Sequence, residues 1–190
     1  MLFFLCICNQ CYAWLYDSGG AQNLSVGIKD SPQTSTVWVA ALFSVNADSY
    51  ATSFGAALSK GAGTGFTMYL APSPVGLPDS ALASWLISPV GPNPKFYDVQ
   101  AETPIFLQAR HVYALVFTPG SEDFQGAVSY SGNYGRYDLG SSDYGNTWYS
   151  LPLSYPLCIR VDGYAVPEPG SLAAMIIGIG GVFAYRRRRI

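Results

Sequence analysis

Apolar and polar residues alternate with a period of two along most of this chain, and this pattern constrains the fold more than any other feature. Clusters of Gly, Pro, Asn and Ser separate the alternating segments, which are short, and no amphipathic helical pattern interrupts them. Many short strands with frequent turns are typical of all-β domains. The predicted strands are residues 24–28, 37–45, 50–58, 66–70, 82–87, 96–99, 111–117, 127–130, 147–149 and 157–161.

This pattern predicts an all-β protein whose body is an antiparallel β-sandwich or a jelly-roll-like variant of one. No internal repeat with a fixed period is evident, which argues against a propeller or a solenoid. We expect three parts in the chain: residues 1–13, a β-sandwich domain at residues 14–165, and a separate C-terminal segment at residues 166–190.

The charge distribution excludes one class of partner. Four of the ten basic residues form a single run at the C-terminus, and residues 14–166 carry six basic and eleven acidic side chains, a net charge of −5. Nucleic-acid binding requires basic side chains spread over a folded face, so we expect no nucleic-acid partner.

Cysteine and histidine usage argues against a metal site or a disulfide framework. Three cysteines, Cys6, Cys8 and Cys11, lie in the apolar N-terminal stretch, and Cys158 is alone in the body. The single histidine, His111, rules out a site built on two imidazoles. We therefore expect no metal and no cofactor, and we expect Cys158 to be a packed, inert thiol.

The N-terminal residues 1–8 are entirely apolar, and Ala13 is a small residue of the kind that precedes a signal-peptidase cut. We therefore expect residues 1–13 to be a signal peptide. The basic n-region of such a peptide is missing, so the peptide is either complete in this form or truncated. The alternative is that this stretch is the first strand of the fold.

The C-terminal segment has three distinct parts. Pro167, Glu168 and Pro169 come first, followed by residues 172–185 without a charge, and then by four arginines: Arg186, Arg187, Arg188 and Arg189. As a helix the apolar run would span about 21 Å, which is short for a ~30 Å hydrocarbon core but lengthened by the arginine stems. We predict a short transmembrane helix whose arginines stop transfer and remain cytoplasmic. A buried core helix would explain neither the arginines nor the prolines.

This arrangement resembles the PEP-CTERM sorting signal. The resemblance implies that an exosortase, an integral-membrane processing enzyme, recognises the tail at Pro167, Glu168 and Pro169. It also implies a bacterium that makes exopolysaccharide, so exopolysaccharide is a candidate partner. The precursor would sit in the inner membrane through its helix, and the product would reach the cell envelope, the cell surface or the extracellular matrix.

The body resembles the choice-of-anchor R type of bacterial extracellular domain. The similarity extends over residues 44–163 and lies in the order of residues 66–70, 82–83, 105–107, 113–116 and 145–148. The resemblance implies an extracellular location and a β architecture, and it implies no chemistry.

The most suggestive segment of the body is rich in aromatic residues among Gly, Ser, Asn and Asp. Aromatic rings with polar edges suit sugar stacking and protein contact, and they also cover the open ends of small sandwiches. The candidate ligand-contact residues are Tyr134, Tyr137, Tyr144 and Trp148.

Catalytic chemistry finds little support in the sequence. His111 lies at a predicted strand edge, no Gly-x-Ser-x-Gly motif is present, and Glu122 and Asp123 follow a Pro-Gly turn as in a solvated loop tip. A Gly-rich loop with Asp138 and Asp143 offers oxygen ligands for calcium but lacks EF-hand spacing. We expect no catalytic residues.

The sequence thus favours an exported, non-catalytic protein with a structural or adhesive role. The first alternative is an extracellular carbohydrate-binding module exported by the same route. The second is a secreted hydrolase, which would require two convergent carboxylates.

Overall fold

The computed structural model describes residues 13–18, 21–31, 34–75, 77–88, 91–120, 125–131, 138–151 and 157–167. Twelve strands run through these residues, they pair in antiparallel fashion, and no helix occurs among the described residues. The strands are β1 (Ala13–Asp17), β2 (Ala21–Ser31), β3 (Thr34–Phe43), β4 (Ser49–Ala62), β5 (Phe66–Ala71), β6 (Ala83–Ile87), β7 (Lys95–Leu107), β8 (Tyr113–Pro119), β9 (Gln125–Ser131), β10 (Leu139–Ser141), β11 (Tyr149–Ser150) and β12 (Ile159–Ala165).

The strands form two sheets that share β3. In the first sheet, β4 is central: it pairs with β12 on one side and with β7 on the other, and its last residues pair with β9. β1 extends this sheet beyond β12, and β2 extends it beyond β9. The second sheet runs in the order β11, β10, β3, β8, β5, β6.

β3 passes from one sheet into the other. Val37 pairs with Lys29 of β2 in the first sheet, whereas residues 39–43 pair with β8 in the second. A strand that changes sheets allows two sheets to pack across each other without a separate connection.

One hydrophobic core lies between the inner faces of the sheets. Phe54, Leu58 and Val161 of the first sheet and Phe43 and Leu115 of the second are almost fully inaccessible to solvent and belong to the same cluster. Burying each side chain of this size contributes about 1.5–3 kcal/mol. Inward residues alternate with outward ones along β5, as the period of two predicts. The structure therefore confirms the all-β class, with two antiparallel sheets in a sandwich-like arrangement.

Each predicted strand overlaps an observed one, with shifted ends. The strand predicted to begin at His111 begins at Tyr113, and the one predicted over residues 147–149 is reduced to β11 because residues 147 and 148 belong to the preceding turn. Two strands were not predicted from the sequence, β1 and β10.

The chain ends that sequence analysis separated from the body lie mostly outside the described residues. These include residues 1–12, Glu168, Pro169, the predicted tail helix and the four arginines. Within the described part of the chain, no helix is long and apolar enough to cross a bilayer. The transmembrane helix and the signal peptide therefore stay predictions.

Candidate functional site

The first candidate site is the point where the chain leaves the sandwich. β12 ends at Ala165, and the Val166 amide donates a hydrogen bond to the Asp48 carbonyl oxygen at 2.7 Å. A carboxylate oxygen of Asp48 accepts the Ala109 amide at 2.7 Å. Asp48 therefore links three segments at this end: the loop before β4, the loop after β7 and the chain beyond β12.

Pro167 follows this last hydrogen bond and is exposed. A proline has no amide hydrogen and cannot continue a strand ladder, so the sheet ends where the predicted sorting segment begins. The structure thus presents the first residue of the Pro-Glu-Pro segment to solvent, directly after a firmly paired strand. Glu168, Pro169 and the residues that follow lie outside the described part.

The second candidate site is the turn at residues 141–148, which folds around two polar side chains. The Ser141 hydroxyl accepts the Gly145 amide at 2.9 Å and donates to an Asp143 carboxylate oxygen at 2.8 Å. Asp143 also accepts the Thr147 amide at 2.8 Å and the Thr147 hydroxyl at 2.6 Å. These hydrogen bonds, those from Thr147 above all, hold the pKa of Asp143 below its usual value.

This turn displays Tyr144. Its φ of 60° lies in the left-handed region, which a non-glycine residue rarely adopts, and its side chain is 58% exposed. Trp38 of β3 contacts the Tyr144 ring edge to face, with ring centroids 6.3 Å apart. Gly145 (φ 81°) lies so close to the Trp38 ring that a Cβ there would be 2.9 Å from it. The Trp148 indole N–H donates to the Gly145 carbonyl oxygen at 3.0 Å.

An aromatic and aliphatic cluster on the outer face of the second sheet supports the turn. Ala40, Ala114 and Val116 are fully buried beneath it. The half-buried side chains packed on them are Trp38, Leu42, Tyr69, Leu77, Leu139 and Trp148. We call this group, together with Tyr144, the aromatic platform.

Of the four predicted contact residues, the structure places Tyr144 and Trp148 together on the platform. Tyr134 and Tyr137 lie outside the described residues. Sequence reasoning missed Trp38 and Tyr69. The signal for Trp38 was its alternation with Ala40 and Leu42 on the same face of β3, but the linear sequence does not show that the turn at residues 141–148 lies over that face.

Asp138 and Asp143, the two carboxylates of the calcium hypothesis, accept hydrogen bonds from different parts of the chain. Asp138 is buried and accepts the amides of Leu42 and Leu157, and its carbonyl oxygen accepts the Leu151 amide at 2.8 Å. Asp143 accepts hydrogen bonds from Ser141 and Thr147 of its own turn. Among the described residues, no group of three or more His, Cys, Asp or Glu side chains could hold a metal ion.

A groove of about 430 Å³ separates the edge strands β6 and β7, and the Trp85 indole N–H crosses it to the Gln100 carbonyl oxygen at 3.1 Å. Among the lining residues that the structure describes, Glu102 is the single carboxylate. On the outer face of the first sheet, Asp98 forms an ion pair with Arg160. Burial raises the pKa of nearby Asp162, and the charge of Asp98 adds to this effect while Arg160 opposes it. The hydrolase alternative, which needs two carboxylates across a sugar-binding cleft, stays a prediction.

The structure places His111 at the surface and Cys158 in the interior. His111 is exposed in the loop before β8, and its ring contacts that of Tyr113 with centroids 5.0 Å apart. Burial raises the pKa of the Cys158 thiol to about 12, and the negative charge of Asp17 adds to the shift. Glu122 and Asp123 lie outside the described residues.

Comparison with known proteins identifies the tail. The family model of the PEP-CTERM protein-sorting motif matches residues 165–189, so it begins at the last residue of β12. No curated protein matches the chain. The chain therefore carries a PEP-CTERM sorting signal, which marks it as an exported, exosortase-sorted protein of the cell envelope or surface.

Proposed function

We propose that this chain is a non-catalytic structural or adhesive protein of the bacterial cell surface or extracellular matrix, which an exosortase processes at Pro167, Glu168 and Pro169. The observation that carries the proposal is the junction at Ala165, where the sheet ends and the sorting motif begins. Asp48 anchors the chain one residue before an exposed proline, so a membrane enzyme could bind the motif without unfolding the sandwich.

The two prolines favour an extended segment because each fixes φ near −65° and disfavours helical geometry at the residue before it. An extended strip outside the bilayer suits an enzyme embedded in the membrane. Residues 172–185 would hold this strip at a fixed depth, and the arginines would set its orientation. A plain membrane anchor would need the apolar run and the arginines but not Pro-Glu-Pro.

The test replaces Pro167, Glu168 and Pro169 by Ala in a host that has an exosortase, and follows the size and location of the protein. We expect an unprocessed precursor retained in the membrane. Pro72→Ala, at an exposed proline in the loop after β5, is the matched control and should be processed normally. Normal processing of the triple variant would leave simple anchoring as the better explanation.

A second candidate function, carbohydrate binding, rests on the platform. Tyr144 combines high exposure, a left-handed backbone and a Trp38 support, which together fix an aromatic ring at the surface. Strained backbone positions that the surrounding structure enforces often accompany binding sites. Exopolysaccharide from the host is the natural ligand to test.

Binding of purified exopolysaccharide should weaken about tenfold in Tyr144→Ala, equivalent to ~1.4 kcal/mol. Trp148→Ala should weaken it as well, because Trp148 holds the turn through Gly145. Phe106→Ala removes another exposed ring, on the other sheet, and serves as the control. Equal binding by all three variants and the wild type would remove the platform from consideration.

A further inference from the structure

The segments that flank the sandwich leave it at one end. β12 ends at Ala165, and Ala13, the first residue of β1, lies opposite Gly163 near the same end of that strand. The beginning of β4 and the end of β7 are there too, since Ser49 pairs with both Ala165 and Leu107. We call this the exit end. It also carries the loops that join β3 to β4, β5 to β6 and β7 to β8.

Exposed apolar side chains concentrate at the exit end. Among the side chains that the structure describes, eight large hydrophobic ones are exposed, and five of them lie on the strand ends and loops of this end. The five, which we call the exit rim, are Tyr50, Val75, Leu82, Phe106 and Val112. Of the other three, Tyr144 and Tyr149 lie at or beside the platform, and Leu86 is near the opposite end of β6, beside Gly120.

Part of the rim is a ladder of rings across three strands. Tyr50 lies opposite Tyr164 on one side and opposite Phe106 on the other. The ring centroids are 5.7 Å and 5.5 Å apart, respectively. Phe106 nevertheless remains 48% exposed. Amphipathic aromatic rings of this kind are enriched where proteins meet the headgroup region of a bilayer.

The tail keeps this end close to the membrane. Five residue steps separate Pro167 from Leu172, where the apolar run begins, and a fully extended chain spans at most about 18 Å over that length. A tether this short gives the exit end a high effective concentration at the bilayer surface, so even weak contacts are populated. Arg110, exposed beside Val112, adds a cation suited to lipid phosphate. Asp48 and Asp79, both exposed at this end, oppose it, and one carboxylate oxygen of Asp48 is already bonded to Ala109.

We infer that the exit rim rests on the lipid surface while the tail is inserted, which orients the sandwich on the membrane before processing. This inference depends on the proposed insertion of residues 172–185. The rim is interrupted by polar loop residues and spread over two sheets. That distribution fits the headgroup region of a bilayer, which has no fixed shape, better than the shaped binding pocket of a partner protein.

The test uses the full chain reconstituted into vesicles of phosphatidylethanolamine and phosphatidylglycerol. The photoreactive residue p-benzoylphenylalanine replaces Phe106 or Val112, or replaces Leu86 as the matched exposed control at the opposite end. After illumination, mass spectrometry detects lipid adducts. We expect adducts at Phe106 and Val112 at several times the yield found at Leu86. All three side chains are exposed, so the replacements should leave the fold intact.

Sedimentation of the vesicles separates failure of this inference from failure of the proposed insertion. Protein that sediments with the vesicles but shows equal or no adducts at the three sites has an inserted tail and a freely tumbling sandwich, which overturns the inference alone. Protein that stays in solution overturns both.

A pair of charge variants tests the other class of partner. Phe106→Glu combined with Val112→Glu should abolish lipid adducts at a reporter placed at Tyr50, whereas Leu86→Glu should not. If the double variant keeps the adducts but loses processing by the exosortase, the rim contacts the enzyme, and the lipid inference is wrong.

Discussion

At the residue scale, Cys158 shows how burial decides reactivity. With a pKa raised to about 12, its thiolate fraction near pH 8 is on the order of 10⁻⁴, and the thiolate is the reactive form. We expect N-ethylmaleimide to leave Cys158 unmodified in the native protein and to modify it fully in denaturant. Peptide mapping distinguishes it from Cys6, Cys8 and Cys11. Native labelling at the rate of an exposed thiol would contradict the buried position.

Gly55 is a second position where a single residue matters. It lies between Arg160 of β12 and Asp98 of β7, and the ion pair of these residues passes directly over it. Arg160 also stacks on the Phe96 ring, 4.2 Å from its centroid. A Cβ at Gly55 would collide with the Asp98 carboxylate and press on the Arg160 side chain.

Gly55→Ala should therefore lower the free energy of unfolding by about 1–3 kcal/mol, the usual range for overpacking. Gly91→Ala is the matched control, because nothing lies within 4 Å of a Cβ there, and it should change stability by less than about 0.5 kcal/mol. Urea denaturation midpoints give both values. Equal midpoints for the two variants would show that the ion pair moves aside easily.

At the element scale, the turn at residues 141–148 depends on the charge of Asp143. Its pKa is lower in the folded chain than the ordinary 3.8, so its stabilising effect is fully present above that value. The effect is lost as the pH falls through the lowered pKa. We therefore expect acid to open the turn locally, which lowers the protection of the Thr147 and Gly145 amides against exchange relative to an unstructured chain at the same pH.

Asp143→Ala should produce the same loss of protection at neutral pH, because Thr147 loses both acceptors. Asp143→Asn keeps one oxygen for the Thr147 amide, so its amide protection should lie between that of Asp143→Ala and that of the wild type. If Asp143→Ala exchanges like the wild type, the Ser141 hydroxyl alone is sufficient to hold the turn.

The sequence predicts elements well where local pattern decides and poorly where distant pairing decides. β5 follows from period-two alternation of apolar residues, and β8 follows from a short continuous apolar run. β10 is only Leu-Gly-Ser and exists because it pairs with β3, far away in sequence. β7 extends past its predicted end through Pro104, which is tolerated because β7 is an edge strand that pairs with β4 alone.

The candidate sites follow the same rule. The three-part order of the tail is local, so the sorting signal was predicted within one residue of the family match, which starts at 165 rather than 166. Tyr144 and Trp148 were proposed as ligand contacts from local composition, and that role stays a prediction. Trp38 was not, because its contact with Tyr144 joins β3 to a turn about a hundred residues later.

At the scale of the whole molecule, the junction between sandwich and tail lies at Val166, whose amide makes the last described hydrogen bond to the body, with Asp48. A chain ending at Pro167 keeps this bond and all the pairs of β12. We expect it to show the same β-type circular dichroism spectrum and the same Tm as the processed protein, because no described contact requires the later residues.

A chain ending at Gly163 tests how much the last residues contribute. It loses Tyr164, whose ring stacks on Tyr50, and the pairing of Ala165 with Ser49. The ring contact contributes about 0.5–1.5 kcal/mol beyond its buried area. With the lost backbone pairing, a total near 2 kcal/mol would lower the Tm by about 4–8 °C for a chain of this size. A Tm equal to that of the chain ending at Pro167 would place the end of the folded body before Tyr164. The sorting motif would then begin beyond a longer, unpaired linker, and a short tether could no longer hold the exit end at the membrane.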